Sequence, residues 1–320
     1  MGSSPALTLV MRDYDYLAAL YGGDVVPNDL RLTIDRKTPI TQATADTSII
    51  ASELSFSRFL ISLSQGDRSF VGIPFFPTRG FRHRCFFVRR GSDISDLKQL
   101  EGKRVGTNSW PDTGNTWTRA ALRDVGVRID RIRWWVGPLD EQYPVRPQSG
   151  LPAYVQEAPA SRLLRGMLLN DELDALMCPF PPMGFYAPNS PLVRLIPDYR
   201  RAEQAYYRRT GIYPVHHIIG LRRETFERSP QVAVSLYQTL DRARLLWQQR
   251  RLHMAELTPW TLTDIEETAA LLGEDWQPSG VSGNRKAIAG LCEEELAQGL
   301  VTRPVDAAVV FADFDAVLKT

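Results

Sequence analysis

The stretch LEGKRVGTNSWPDTGNTWTRAALRDVGV, residues 100–127, contains the sequence signals of a strand, a loop and a helix in succession. Residues 103–107 have the short apolar pattern of a strand, and a helix is expected to begin at about Thr113. The alternation continues in residues 131–137, a predicted strand, and in residues 163–180, a predicted helix, turn and strand. Strands that alternate with helices in this way are typical of a mostly parallel sheet covered by helices, so the sequence predicts an α/β fold.

The two ends of the chain show similar signals. Short strands are predicted at residues 7–11, 30–34, 48–50, 69–76 and 84–90. Ser52 is expected to cap a helix whose apolar stripe includes Phe56. Pro230 has the preferred position of a first helical residue, and a final amphipathic helix is predicted within residues 284–299. Residues 198–214 are interpreted as a connector.

Composition limits the classes of partner. The chain has 320 residues, which suits two lobes, and a net charge of +1, which gives no reason to expect nucleic acid or a membrane surface as a partner. Its first residues, MGSSPALTLVMRDYDY, lack the pattern of a secretory signal, and its three cysteines are far apart in apolar surroundings. We therefore expect buried free thiols and a cytoplasmic location.

Several familiar catalytic motifs do not occur in the sequence. It has no G-x-S-x-G elbow, no phosphate-binding G-x-x-x-x-G-K-[ST] loop and no G-x-G-x-x-G fingerprint, which argues against serine hydrolases, P-loop enzymes and dinucleotide-dependent enzymes. The four histidines do not have metal-ligand spacing. The sequence therefore predicts no metal site.

A cationic cluster interrupts the apolar run FFPTRGFRHRCFFV, residues 75–88. Its members are Arg79, Arg82, His83 and Arg84. A buried charge is costly unless it is paired, so two explanations remain open: a carboxylate of the protein, such as Glu53 or Asp13, or an anionic ligand. Arginine binds carboxylates through a bidentate fork, so a pair of arginines suits a dicarboxylate.

Two strand–loop–helix junctions provide candidate positions for such a ligand. They are IIASELS, residues 49–55, and GTNSWPDTGNT, residues 106–116. Ligands of open α/β sheets lie beyond the carboxyl ends of strands, where the N-termini of helices attract anions. The alternative is that their hydroxyl side chains only cap helices, as Ser, Thr and Asp commonly do.

These segments together resemble a known family. In order they include YDYLAAL, SELSFSRFL, IPFFPTRGFRHRCFFV, LEGKRVGTNSWPDTGNTWTRAAL, IRWWVG, EQAYYRRTGIYPVHH, TPWTL and SGNRKAI. The sequence is similar to 4,5-dihydroxyphthalate decarboxylases, which belong to the type II periplasmic-binding-protein-like superfamily. The resemblance implies a two-lobed fold in which each lobe is a mixed, mostly parallel sheet flanked by helices, with a ligand cleft between the lobes. Residues 1–90 and 210–320 would form lobe 1, and residues 91–209 would form lobe 2.

The resemblance also implies which residues form the site. The implied catalytic residues are His83, His217 and Glu53, with His83 as the leading acid or base. The implied substrate-binding residues are Arg79, Arg82, Ser55, Thr113, Trp117, Arg119, Asn284 and Arg285, and Trp110 is added to this set as an aromatic side chain of the same loop. The tryptophans of this set would stack on an aromatic ring, although core positions are equally compatible with the sequence. Ser109 stands in a loop where the family pattern has an acidic residue.

The implied activity is the non-oxidative decarboxylation of a hydroxylated aromatic acid, in which a ring carbon is protonated as CO2 leaves. No cofactor is expected, although a requirement for a divalent metal is left open. The expected partner is a small aromatic carboxylate, and self-association into a homo-oligomer is left open. Two alternatives remain: a solute-binding protein for an aromatic or carboxylate anion, and another lyase or tailoring enzyme of the same superfamily.

Overall fold

The computed structural model describes residues 4–141, 150–253 and 258–319. The strands are β1 (Ala6–Val10), β2 (Arg31–Asp35), β3 (Ala51–Ser55), β4 (Phe70–Ile73), β5 (Phe86–Arg89), β6 (Arg104–Thr107), β7 (Arg133–Val136), β8 (Val155–Glu157), β9 (Ala175–Met177), β10 (Leu192–Arg194) and β11 (His217–Arg222). The helices are α1 (Ala18–Tyr21), α2 (Phe56–Ser64), α3 (Thr113–Asp124), α4 (Leu164–Leu169), α5 (Tyr199–Thr210), α6 (Arg223–Arg228), α7 (Pro230–His253), α8 (Thr261–Leu272), α9 (Arg285–Ala297) and α10 (Ala312–Leu318).

The chain divides into two compact units. Unit 1 comprises Met1–Arg79, Val215–Cys292 and Val305–Thr320, and unit 2 comprises Gly80–Pro214 and Glu293–Pro304. The lobe bounds expected from the sequence differ from these at three places. Residues 80–90 lie in unit 2 because β5 pairs with β9 and β10 there, and residues 210–214 and 293–304 also lie in unit 2.

Unit 1 contains a mixed sheet with the strand order β2-β1-β3-β11-β4. The first three of these strands are parallel, whereas β11 runs antiparallel to both β3 and β4. α7 begins at Pro230, as the sequence predicts, and buries Val232, Leu236 and Leu240 in the core of this unit. The long-range pairing of β11 with β3 brings two distant parts of the chain side by side.

Unit 2 contains a second mixed sheet, with the order β10-β5-β9-β6-β7-β8. The four consecutive strands β9, β6, β7 and β8 are parallel, as the α/β pattern predicts. α3 follows β6 after a short loop and begins at Thr113, which confirms the prediction. Within the described parts of the chain, no helix is both long and apolar enough to cross a bilayer.

Three local predictions are wrong. Ser52 does not cap a helix, because it lies inside β3 and is fully buried; Ser55 occupies the cap position of α2. Arg84 and Cys85, predicted to begin a strand, belong to a 3₁₀ turn over residues 83–85, and β5 begins only at Phe86. The expected connector contains α5, whose N-cap Asp198 accepts a hydrogen bond from the Arg201 N–H at 3.3 Å.

Candidate functional site

Unit 1 contains a buried carboxylate that three donors surround. Glu53 lies in β3 with no exposed surface. Its Oε2 accepts the backbone N–H of Arg12 at 2.9 Å, and its Oε1 accepts the Tyr14 hydroxyl at 2.6 Å. The same Oε1 contacts Nδ1 of His217, the first residue of β11. Both oxygens of this buried carboxylate therefore have hydrogen-bond partners within the protein, as buried polar groups require.

Electrostatics keeps Glu53 ionised. Burial alone would raise its pKa, but the hydrogen bond and charge of His217, followed by Tyr14 and the Arg12 N–H, bring the pKa below its usual value. Burial, together with the adjacent Glu53 charge, raises the pKa of the Tyr14 phenol well above its usual range, so Tyr14 remains a donor. An ionised Glu53 requires a proton on Nδ1 of His217, which leaves Nε2 as the ring atom for chemistry.

Strand register explains why these residues meet. In the antiparallel β3–β11 pair, His217 lies opposite Ser55 and Ile219 lies opposite Glu53. Residues two apart on a strand share a face, so Glu53, Ser55 and His217 project from the same side of the sheet. Arg79 forms an isolated antiparallel bridge with Val215, two residues before His217, which places Arg79 on this side as well.

Arg79 is held by neutral oxygens. It donates to Asn284 Oδ1 at 2.9 Å and to the Pro278 carbonyl, and its guanidinium lies 5.5 Å from the centre of the Phe76 ring. Asn284 is itself buried and donates to the carbonyls of Pro278 and Gly280 at 2.8 and 2.7 Å. We infer that Asn284 orients Arg79. Its neighbour in the sequence, Arg285, is exposed at the start of α9.

The two carboxylates that the sequence offered as partners for Arg79 have other partners. Glu53 interacts with His217 and Tyr14, and Asp13 forms an exposed ion pair with Arg36 at 3.1 Å. The two acceptors of Arg79 described above, Asn284 Oδ1 and the Pro278 carbonyl, carry no formal charge.

His83 lies in unit 2 in a different environment. Its side chain is buried, and its ring forms a T-shaped pair with Tyr206 of α5, with 5.5 Å between the ring centres. Within the described residues, its Nδ1 has no hydrogen-bond partner. Burial lowers the pKa of His83 to about 4, so the imidazole is neutral near pH 7. A neutral, buried imidazole is a poor proton donor.

Arg82 and Arg84 flank His83 and have different surroundings. Arg82 is buried beside Cys85 Sγ, at 3.9 Å, and its guanidinium covers Gly114 in the first turn of α3. Arg84 lies 3.9 Å from the buried carboxylate of Glu203, whose pKa is raised by burial. An internal carboxylate therefore balances part of the cationic cluster. For Arg82 and the adjacent Thr113, a role in substrate binding stays a prediction.

The contact between Arg82 and Gly114 predicts the effect of a methyl group. In Gly114→Ala the new Cβ would lie 2.8 Å from Arg82 Nη2, so the buried guanidinium has to move. In Gly166→Ala, a matched change inside α4, the new Cβ would meet no atom within 4 Å. We expect Gly166→Ala to raise the free energy of unfolding by about 0.5–1 kcal/mol and Gly114→Ala to gain clearly less, as measured by urea denaturation. Equal gains in the two variants would contradict the contact.

The remaining predicted residues of α3 and its loop lie in the core of unit 2. Arg119 is fully buried, donates to Gln298 Oε1 at 2.6 Å and to the Trp110 carbonyl at 2.8 Å, and stacks 3.9 Å from the Trp110 ring centre. Trp110 packs edge-on against Trp134, and Trp117 is also buried. These positions fit the core better than contact with a substrate. Burial lowers the pKa of Arg119 to about 10, which still leaves it charged near pH 7.

Sequence reasoning missed three participants. Tyr14 begins the segment YDYLAAL but has no assigned role in the sequence analysis, and the Arg12 N–H has no side-chain signal. Glu203 lies in α5, which was interpreted as a connector. Across residues 4–141, 150–253 and 258–319, no group of three or more His, Cys, Asp or Glu side chains is arranged to hold a metal ion. The sequence-based expectation of no metal site stays a prediction, and a requirement for a divalent metal stays open.

Comparison with solved structures defines the class of fold. The alkanesulfonate-binding protein SsuA from Xanthomonas axonopodis pv. citri, bound to MOPS, superposes with a TM-score of 0.52 and 11% identity over 97% of this chain and 99% of its own. The periplasmic aliphatic sulphonate binding protein SsuA from Escherichia coli has a TM-score of 0.54 and 14% identity over 95% and 90%. The chain shares the fold of these periplasmic binding proteins, which confirms the predicted periplasmic-binding-protein-like α/β fold class.

Sequence comparison identifies closer relatives. A 4,5-dihydroxyphthalate decarboxylase from Comamonas testosteroni is 27% identical over 95% of this chain and 96% of its own length. A second protein of that name, from Pseudomonas putida, is 32% identical over 49% of this chain and 62% of its own length. The resemblance to 4,5-dihydroxyphthalate decarboxylases that the motifs indicated is thus confirmed over nearly the whole chain. No family model matches the sequence.

Proposed function

We propose that this protein is a carboxy-lyase that removes CO2, without oxidation, from a hydroxylated aromatic dicarboxylic acid such as 4,5-dihydroxyphthalate. The observation that carries the proposal is the Glu53–His217 pair of unit 1, which has Arg79 on the same face of the sheet. The names of the two decarboxylase relatives support the reaction class. An aromatic dicarboxylate needs one cation to hold it and one acid to protonate its ring, and this face provides both.

The acid is His217 in its imidazolium form. Nε2–H delivers a proton to the ring carbon that carries the leaving carboxylate, and the bond from this carbon to the carboxylate then breaks. Its electron pair returns to the ring as CO2 leaves, and His217 regains a proton from solvent. From 4,5-dihydroxyphthalate the product is 3,4-dihydroxybenzoate. The ring hydroxyls donate electron density and make protonation easier, and the ionised Glu53 stabilises the imidazolium.

Arg79 binds the carboxylate that stays on the ring. Pairing the leaving carboxylate with a cation would stabilise the ground state and slow its loss, so the cation belongs on the spectator group. Asn284 and the Pro278 carbonyl hold the guanidinium in one orientation, which reduces the entropy cost of binding. The proposed reaction needs no organic cofactor, and the assay below tests whether it needs a divalent metal ion.

The test is an assay with purified protein that has been treated with a chelator. It is incubated with 4,5-dihydroxyphthalate, with phthalate and with 3,4-dihydroxybenzoate, with and without added divalent ions. We expect CO2 and 3,4-dihydroxybenzoate in equal amounts from the first compound only, because phthalate lacks the activating hydroxyls. The fold neighbours are named as binding proteins, so saturable binding of these anions without CO2 release under any condition would favour a solute-binding protein instead.

Removing the Arg79 guanidinium is expected to weaken binding. Arg79→Ala should raise KM about 10- to 100-fold, the value of one or two charge-assisted hydrogen bonds, with a smaller effect on kcat. Asn284→Ala should raise KM by a smaller factor, because the Arg79 guanidinium remains and loses only the hydrogen bond that orients it. Arg36→Ala, an exposed arginine of the same unit, is the matched control and should leave KM unchanged. A normal KM in Arg79→Ala would show that Arg79 has only a structural role.

We also propose a cytoplasmic location. All three cysteines of the chain are free and buried, which fits a reducing compartment. A cell-fractionation experiment with an antibody to the protein tests this location, and recovery from the periplasmic fraction would contradict it.

A further inference from the structure

Tyr14 shares an oxygen of Glu53 with His217. The Tyr14 hydroxyl donates to Oε1 at 2.6 Å, and Nδ1 of His217 contacts the same Oε1. The other oxygen, Oε2, is occupied by the Arg12 N–H, which the backbone fixes. Two donors therefore share one carboxylate oxygen inside the protein, where a hydrogen bond is electrostatically stronger than in water.

The Tyr14 phenol donates its hydrogen bond to Oε1 over the whole working range of pH. Burial and the neighbouring Glu53 charge disfavour its phenolate form, so Tyr14 keeps its proton throughout the working range of pH. The ring is held in place by Tyr16, whose ring centre lies 5.3 Å away. Each hydrogen bond that Glu53 accepts withdraws part of the negative charge that would otherwise stabilise the imidazolium of His217.

We propose that Tyr14 is a positioning residue that lowers the proton affinity of His217 by sharing Oε1 of Glu53 with it and withdrawing negative charge from that oxygen. The catalytic role of Tyr14 rests on the proposed function, whereas its effect on the proton affinity of His217 does not. A lower proton affinity makes His217 a stronger acid toward the ring carbon, and it still has Glu53 to orient it. Tyr14 would thereby adjust the strength of the acid without touching the substrate.

The test removes only the hydroxyl. In Tyr14→Phe, Oε1 is left to His217 alone, so the imidazolium gains stability and His217 should lose its proton at higher pH. We expect the midpoint of its titration to rise by about 0.5–1.5 pH units, in line with the loss of one hydrogen bond to a charged group. The chain has four histidines, so ¹H–¹⁵N NMR of the imidazoles resolves the signal, and His217→Gln assigns it.

Tyr16→Phe is the matched control. Its hydroxyl donates at 2.7 Å to the Pro77 carbonyl instead of to Glu53, and Tyr16 is a buried tyrosine of the same segment. We expect it to leave the His217 titration unchanged. An unchanged titration in Tyr14→Phe, or an equal shift in both variants, would overturn the proposal. Circular dichroism establishes that both variants are folded.

A second variant keeps the test decisive if Tyr14→Phe does not fold. Fluorotyrosine introduced at position 14 is a stronger donor and should lower the His217 midpoint, the opposite direction. A midpoint that stays constant or rises with fluorotyrosine would contradict the proposed effect of the Tyr14 hydrogen bond on His217.

Kinetics then connects the coupling with the reaction. The imidazolium is the active form, so the alkaline limb of the kcat profile should move to higher pH in Tyr14→Phe by the same amount as the NMR midpoint. The plateau should fall about two- to fivefold, because the weaker acid transfers its proton more slowly. If the NMR midpoint moves while the protein releases no CO2 from any hydroxylated phthalate, the coupling is real and the proposed function is wrong. If CO2 is released and the midpoint does not move, the proposed function stands without the role of Tyr14.

Discussion

Replacing His217 with Gln is expected to lower kcat by about 10²- to 10⁴-fold, the usual contribution of a general acid, with little change in KM. Gln fills a similar volume and still bonds to Glu53, but it has no acidic proton for the ring carbon. The measurement is steady-state CO2 release from 4,5-dihydroxyphthalate at several pH values. Loss of the alkaline limb of the pH profile would accompany the loss of rate.

His83→Gln is the comparison that tests which of the two histidines is the acid. Sequence reasoning made His83 the leading acid or base, yet in the structure it is buried beside Tyr206 and its pKa is lowered to about 4 by burial. Near pH 7 almost none of it is charged, so we expect His83→Gln to retain kcat within about fivefold. If His83→Gln lost most activity and His217→Gln kept it, the assignment of the acid would be reversed.

Local signals in the sequence predicted the elements that have clear ends. Pro230 at the first position of α7 and the strand–loop–helix pattern before Thr113 both appear where expected, because these signals depend on the backbone of a few adjacent residues. α5 was missed because its sequence is highly polar and its buried face consists of Glu203 and Tyr206 rather than of apolar residues. Its cap Asp198 and the left-handed Gly211 at its end were the available signals.

The arrangement of the site was beyond local reasoning for a different reason. The sequence identified Glu53, His217 and Arg79 individually, but their grouping depends on the register of β3 against β11, and Glu53 and His217 are 164 positions apart. A shift of one residue in this register would place His217 on the opposite face from Glu53. The start of α2 was also misassigned, so Glu53 was expected at a helix N-terminus. Its position in β3, beside β11, was therefore not predicted.

Replacing Glu53 with Gln is expected to affect both rate and stability. An amide cannot accept hydrogen bonds on both terminal atoms, so its NH2 group must face the Arg12 N–H or one of the other donors. We expect the free energy of unfolding to fall by about 1–3 kcal/mol near pH 7, the cost of an unsatisfied buried group. Because the imidazolium loses its counter-charge, kcat should fall by about 10- to 10³-fold. Urea denaturation and CO2 release measure the two effects separately.

The pH dependence of this stability difference identifies the charge as its source. The pKa of Glu53 in the folded protein lies below its usual value, so its ionisation stabilises the fold above the unfolded-state pKa. That contribution is lost as the pH falls through the folded-state pKa, so the gap between the wild type and Glu53→Gln should narrow below about pH 4.5. Asp13→Asn, which removes an exposed carboxylate in the same unit, should leave kcat unchanged. A stability gap that stayed constant from pH 7 down to acid unfolding would mean that the amide disturbs packing alone, and that the charge of Glu53 does not hold His217 in place.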